Sequence, residues 1–244
     1  MECDVRRSEV PAADAAAEGI IPGRDTPLVQ STAVQFSVSA DLQPIVRPGV
    51  LTFDGLIVTS HDPRMDAPVA AAEAAVRMRP PEESAAVRGM FRRTGLDPTK
   101  RRPSSEALLR RVRKGEALPR INSLVDICNW CSLEFQLPYG LYDRDRIEGD
   151  VVLRLGGEDE SYTGIRKDEV HVAGRIALAD ARGPFGNPSS DSARTMVTDA
   201  ATRALMIVFA PAEVPLPRLE QVLAISSART LAYCGGTETS RRIV

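Results

Sequence analysis

A mixed α+β fold follows from the order of elements along the 244-residue chain. Amphipathic helical segments occupy the stretch from Asp66 to Pro138, short β-branched runs cluster from Val151 onward, and one further helix follows before a glycine stop. No internal repeat interrupts this order. A composition of 26% charged and 43% apolar residues is that of an ordinary globular protein and excludes collagen-like, mucin-like and wholly disordered chains. No apolar run approaches the roughly 18–20 residues of a membrane-spanning helix. The N-terminus MECDVRRSEV has no apolar signal core, so a cytoplasmic protein with no membrane partner is expected.

Residues 1–35 read as a flexible tail, because Ala, Pro, Gly and acids alternate there without a sustained period, and residues 36–244 read as the folded domain. Gln35 to Val38 can start a strand. Val50 to Thr59 (VLTFDGLIVT) is a β-branched and aromatic run in which the glycine marks a bulge. Asp66 to Met78 reads as a helix stopped by Pro80-Pro81, and Glu82 to Arg93 as a second helix with Gly95 at its end. Ser104 or Ser105 caps a third helix through Leu108, Leu109 and Val112. Asn122 caps a fourth, with Leu124, Val125, Cys128, Cys131 and Leu133 as its apolar stripe and Pro138 as its stop. Strands are expected over Val151–Leu155, Ser161–Ile165, Gly174–Ala179 and Ala204–Phe209, with GPFGNPSSDS as a loop between the last two. The final helix runs from Leu216 to Tyr233 and stops at Gly235-Gly236.

The reactive residue types are sparse. Cys128 and Cys131 form one C-x-x-C, but a structural zinc site wants four ligands, and His171 and Cys234 lie far off, so no metal and no cofactor is expected. The pair falls in mid-helix within an apolar run and reads as two buried thiols rather than a redox couple. His61 and His171 fall in expected loops and read as surface histidines. The phosphate-binding, dinucleotide, serine-hydrolase and zinc-protease signatures are absent.

Charge is distributed unevenly. Residues Arg88 to Arg120 hold eleven Lys/Arg against three acids, in a chain whose net charge is −2. That overall balance argues against a protein that coats nucleic acid nonspecifically. Arg110, Arg111, Arg113 and Lys114 occupy polar positions of the third helix, either as a solvated face or as phosphate contacts.

The run LPRINSLVDICNWCSLEFQLPYGLYD, Leu118 to Asp143, resembles the editing module of bacterial phenylalanyl-tRNA synthetase, formed by the third and fourth domains of its beta subunit. The matching pieces are Arg120, Asn122, Val125-Asp126, Asn129, Pro138 and Tyr142-Asp143. RPSSEALLRRV (Arg102–Val112), GPFGNPSSDSARTMVT (Gly183–Thr198), ALMIVFAP (Ala204–Pro211) and YCGG (Tyr233–Gly236) resemble a free-standing version of the module. The resemblance implies helices packed on a largely antiparallel sheet, in two interleaved lobes around one pocket. It also implies a tRNA or aminoacyl-tRNA partner and hydrolysis of a mischarged aminoacyl ester. The family's pocket threonine and asparagine fall on Cys128 and Asn129, its histidine on Gly140 and its hydroxyl-reading glutamate on Met206. Three of the four depart from the pattern, and Met206 offers a phenol no acceptor.

Two positions keep two readings each. Asn129 either lines the pocket or satisfies a buried backbone group. The loop with Gly183, Gly186, Ser189 and Ser190 either holds an anion, a ribose or a carboxylate, or serves as a plain connection. The functional readings are correspondingly a stand-alone aminoacyl-tRNA deacylase, a non-catalytic binder of an amino acid or aminoacyl-tRNA, or a tRNA-dependent aminoacyl transferase in a specialised pathway. A homo-oligomer is compatible with all three.

Overall fold

A computed structural model describes residues 34–78, 84–165 and 169–244. The expected tail up to residue 33, the Pro80-Pro81 stop and the first residues of the second helix lie outside the described residues. In chain order the elements are β1 (Phe36–Val38), β2 (Val46–Asp54), α1 (Asp66–Met78), α2 (Ala85–Arg93), α3 (Ser104–Arg113), α4 (Ser123–Phe135), β3 (Tyr139–Asp143), β4 (Val151–Leu155), β5 (Ser161–Thr163), β6 (Glu169–His171), β7 (Ile176–Asp180), β8 (Gly183–Asn187), β9 (Ser190–Asp191), β10 (Arg203–Pro211), α5 (Leu216–Cys234) and β11 (Thr237–Ile243). The architecture is α+β with mostly antiparallel pairing. Among the described residues no helix is long and apolar enough to cross a membrane.

One sheet has the order β11-β2-β10-β3, antiparallel throughout. Its strand β10 is buried from Ala204 to Pro211, as a strand flanked on both edges and covered on both faces must be. Helices α4 and α5 pack together, and Tyr139 of β3 hydrogen-bonds Ser226 of α5 at 2.9 Å. The second sheet has the order β1-β4-β7-β8-β9; only the β1–β4 pair is parallel. A small β5–β6 ribbon flanks it.

Helix α4 is set by its entry. Asn122 Oδ1 accepts from the Val125 N–H at 3.0 Å, the cap that Asn at this position predicts. One turn on, the buried Asp126 carboxylate accepts from Arg120 Nε at 2.7 Å and from the Ile121 N–H at 2.8 Å. The helix ends at Gln136, in the left-handed region at φ 56°, two residues before Pro138. Helix α5 ends likewise, at Gly235 with φ 64°.

Several expectations need correction. The β-branched run is β2 shifted toward the N-terminus, and Gly55, at φ 69°, ends the strand. Pro48 is tolerated inside it because its β10 partner Phe209 turns its N–H to the Pro138 carbonyl, so no N–H from Pro48 is needed on that side, and the Pro48 carbonyl accepts from the Val244 N–H on the other. Pro103 stands at the α3 cap position, so Ser104 and Ser105 are helical residues and cap nothing. The strands expected over Ser161–Ile165 and Gly174–Ala179 are β5 (Ser161–Thr163) and β7 (Ile176–Asp180), the latter starting after a turn at Gly174 with φ 61°. His171 lies in β6 rather than a loop. The Gly/Pro/Ser segment is the β8–β9 hairpin, with Asn187 Oδ1 accepting from the Ser189 and Ser190 N–H groups across its turn. Strand β11, TETSRRI, has no apolar face to announce it and forms by pairing with β2.

Removing the Asp126 carboxylate takes the buried acceptor from the Ile121 N–H and from Arg120 Nε, leaving Arg120 only its more exposed pair with Asp66 at 3.1 Å. Asp126→Ala should therefore cost about 3 kcal/mol, a fall in Tm of roughly 6–12 °C for a chain of this size. Asn122→Ala should cost only about 1 kcal/mol; thermal denaturation of both variants checks the ranking.

Stability should also fall in acid. Burial opposes the charge on Asp180, but Arg194 at 2.9 Å and the Glu148 and Arg182 N–H groups outweigh it and hold the carboxyl below its ordinary value. Arg154 holds Glu160 down in the same way. A carboxyl lowered in the native state binds fewer protons there than in the unfolded chain. Its contribution is therefore complete above the ordinary carboxylate pKa of about 4 and is lost as pH falls through the native value. Urea midpoints should be flat near neutrality and fall below about pH 4, and Asp180→Asn should flatten that fall.

Candidate functional site

A cavity of about 350 Å³ opens beside the outer edge of β3, between α4 and the β8–β9 hairpin. Helix α4 contributes Cys128 and Asn129, and the hairpin contributes Ser189, Ser190 and Asp191. Two segments separated by some sixty residues of sequence thus meet at one wall. Ser104, the first residue of α3, and Leu141 of β3 complete the part that matters chemically.

The polar groups here have unspent hydrogen-bonding capacity. The Oγ atoms of Ser104 and Ser189 are buried and have no hydrogen-bond partner among the described residues. The half-buried Asn129 lines the cavity and its amide caps no backbone group among the described residues, which favours its lining role. Asp191 accepts a hydrogen bond from Tyr142 Oη at 2.6 Å. The Tyr162 hydroxyl donates to the Ser190 carbonyl at 2.6 Å and fixes the hairpin from its other side. The Phe209 N–H donates to the Pro138 carbonyl, whereas the Asp143 N–H turns outward to the Thr195 carbonyl, both at 2.9 Å. Alternation along an antiparallel strand then directs the Leu141 N–H and C=O to the free edge of β3, where Leu141 lines the cavity.

Burial pushes the Cys128 thiol well above its ordinary pKa, and the nearby Asp191 and Cys131 push it further the same way. Burial also raises Cys131 and Cys234. A thiol held protonated is a poor nucleophile, so Cys128 is a small wall residue. His61 and His171 lie on the surface, paired at 3.4 Å with Asp66 and at 3.9 Å with Glu169. Neither lines the cavity.

The remaining residues singled out in the sequence lie elsewhere. Met206 is fully buried in β10, between Leu51 of β2 and Leu141 of β3. Gly183 begins β8 at φ 107° in the turn after Asp180. Gly140 and Gly186 hold the fully buried Tyr142 ring between them. A Cβ on either glycine would overlap the hydroxyl and come within 2.8 Å of Cζ. The Gly140 position, which the resemblance aligns with a histidine, is thus closed by Tyr142. On α3, Arg110, Arg113 and Lys114 line a separate open groove against α2, whereas Arg111 turns away to the Ala117 carbonyl and to Glu116. Asp191 and Tyr142 were not singled out as site residues. Asp191 lay inside the flagged Gly/Ser segment, and its signal was a carboxylate among hydroxyls.

Comparison with known proteins agrees with the sequence resemblance. The family model described as the B3/4 domain matches residues 86–229. The phenylalanine–tRNA ligase beta subunit of Streptomyces avermitilis is 36% identical over 94 residues, 38% of this chain and 11% of that protein. That of Psychrobacter arcticus is 30% identical over 87 residues, 35% of this chain and 11% of that protein. The matched stretch is thus a small part of each relative. A crystal structure of an N-terminal fragment of the phenylalanyl-tRNA synthetase beta subunit from Pyrococcus horikoshii aligns over 84% of this chain and 50% of that one, at 14% identity and a TM-score of 0.45.

The Tyr142 clamp makes a direct prediction. Gly140→Ala and Gly186→Ala should each destabilise the fold by roughly 1–3 kcal/mol through overpacking. Adding Tyr142→Phe should recover part of the Gly140→Ala loss, because it removes the nearest atom; a double-mutant cycle on Tm measures the coupling. Additive losses would show that the ring and the glycine do not meet.

Proposed function

The chain belongs to the B3/4 domain family, and on that footing we propose that it acts as a free-standing editing-type domain that hydrolyses the ester of a mischarged aminoacyl-tRNA. The observation that carries this reading is the meeting of Asn129, Ser189, Ser190 and the Asp191 carboxylate in one cavity large enough for an amino-acid side chain. An aminoacyl ester is already activated, so its hydrolysis needs a placed water, a proton acceptor and donors for the developing oxyanion. Asp191, oriented by Tyr142, is the proton acceptor. Water oxygen bonds to the ester carbonyl carbon as its proton passes to Asp191, and the Asn129 amide and Leu141 N–H donate to the oxyanion. Collapse breaks the bond to the ribose oxygen, which takes the proton back. A free amino acid and an uncharged tRNA leave.

The wall beneath the cavity restricts the substrate. With Met206 buried and Gly140 closed by Tyr142, neither position presents a group to read a hydroxyl on the substrate side chain. Ser104 and Ser189 are the available hydrogen-bonding groups instead, which suits a small or polar amino acid.

Incubation with a panel of mischarged tRNAs is the direct test, with release of the free amino acid as the readout. At least one ester should be cleaved, and Asp191→Asn should lower kcat by roughly 10²–10⁴ while keeping its hydrogen bond from Tyr142. Absence of cleavage across the panel, with a Tm rise on adding one amino acid, would establish the binding reading instead.

A further inference from the structure

A second depression, about 810 Å³ and open to solvent, runs between α2 and α3. Among the described residues six cationic side chains line it: Arg88 and Arg92 from α2, Arg102 just before α3, and Arg110, Arg113 and Lys114 around its C-terminal half. Among the described residues on the lining the acid is Glu106, and it is already engaged: Arg88 binds it at 2.8 Å through two nitrogens, and Ser84 donates to it. Burial opposes its charge, but these two partners outweigh burial and keep the carboxyl below its ordinary value, so it remains an anion bound to Arg88. Arg92, Arg110 and Lys114 are exposed and have no ion-pair partner among the described residues. In a chain of net charge −2, one open groove therefore concentrates positive charge.

We infer that this groove holds the phosphodiester backbone of RNA, and so supplies the RNA-binding surface of the deacylase reading, on which the inference rests. Three features select this ligand. Guanidinium groups dominate the lining and match phosphate oxygens bidentately. Among the described residues no aromatic side chain lines the groove, so they offer bases no stacking platform and recognition falls on the backbone. Helix α3 joins the two sites. Ser104 at its first position lines the cavity, and Glu106, Leu109, Arg110, Arg113 and Lys114 line the groove, the last about 15 Å from Ser104 along the helix. A strand whose aminoacyl end enters the cavity can lay its nearest phosphates along α3.

The two helices also provide an internal control. Arg93, next to Arg92, pairs with Glu213 at 2.5 Å, and Arg111, next to Arg110, pairs with Glu116 at 3.1 Å; both face away from the groove. The double variants R92E/R110E and R93E/R111E thus change charge equally on the same helices, but on opposite sides. Binding of uncharged bulk tRNA to the full chain, followed by fluorescence anisotropy, should weaken more than tenfold in the first pair. It should change less than about twofold in the second, because the lost charges do not neutralise phosphates. The slope of log K against log salt should flatten by roughly 1.5 in the first pair only. Inorganic tripolyphosphate should displace tRNA only at roughly a hundredfold excess, since it offers fewer charges than a backbone; displacement at equal concentration would assign the groove to a free polyphosphate. Equal loss in both pairs, or loss in neither, would overturn the proposal. Circular dichroism and Tm confirm that both variants fold. Hydrolysis of a minimal aminoacyl ester without a phosphate backbone reports on the cavity alone, so failure of the ester chemistry is separable from failure of the groove.

Discussion

The contact on which the arrangement of the two sheets depends is the buried Tyr142. It stands on β3, at the edge of the β11-β2-β10-β3 sheet, and its ring passes between Gly140 on its own strand and Gly186 on β8 of the other sheet. Its hydroxyl ends on Asp191 of β9 at 2.6 Å. Phe185 meets the ring edge-on at 5.0 Å, and Arg194 lies 5.6 Å from the Phe185 centroid while pairing with Asp180 of β7. One aromatic side chain thus reaches the β7–β8–β9 half of the second sheet through packing and through a charged hydrogen-bond acceptor. Burial and the neighbouring Asp191 raise the phenol well above its ordinary pKa, so it remains a donor. The same contact orients the carboxylate at the cavity wall. Position and chemistry of the candidate site therefore rest on a residue that no ligand needs to touch.

The helices and the interior strands were legible because their signals are local. Asp66–Met78 and the α4 cap at Asn122 follow from helical spacing and side-chain capping, and β4 follows from its run of β-branched and leucine residues. The misread elements are those formed by tertiary partners. GPFGN has no strand propensity and becomes β8 because Tyr142 requires a residue without a Cβ at Gly186 and Phe185 requires burial. TETSRRI becomes β11 because β2 has an edge to offer, and only pairing, not composition, distinguishes it from a polar terminus.

The site was legible in halves. Helix α4 and the Gly/Ser segment were each flagged by resemblance, and the cavity brings Cys128 and Asn129 to Ser189 and Ser190. Nothing in spacing could distinguish Ser189 and Ser190, which line the cavity, from Gly183 and Gly186, which shape the strand. Strand alternation separates Gly140 from Leu141 on β3: adjacent residues face opposite sides, so the aligned position is internal and its neighbour reaches the cavity. The basic segment was read as one face of one helix. Its division into groove residues and the outward Arg111 depends on where α2 packs, which helical period alone does not supply.

Helix α3 explains why a chain of ordinary overall charge places so many cations in one segment. Its inner side is anchored by Ser105 and Val112, both fully buried, while Leu108 and Leu109 pack part of their surface on the core. With those positions committed to packing, the outward positions of a ten-residue helix are free to carry charge without disturbing the fold. Mutual repulsion among them is limited by exposure to water and salt, and within the groove by the Glu106–Arg88 pair. The cations are therefore tolerable without a ligand and available to one. The first turn of the same helix contributes Ser104 to a cavity that the cations do not enter. A rigid helix can thus fix the distance between a cationic surface and a polar cavity, so that under the proposed reading charge and cavity contribute to binding and chemistry as separable terms.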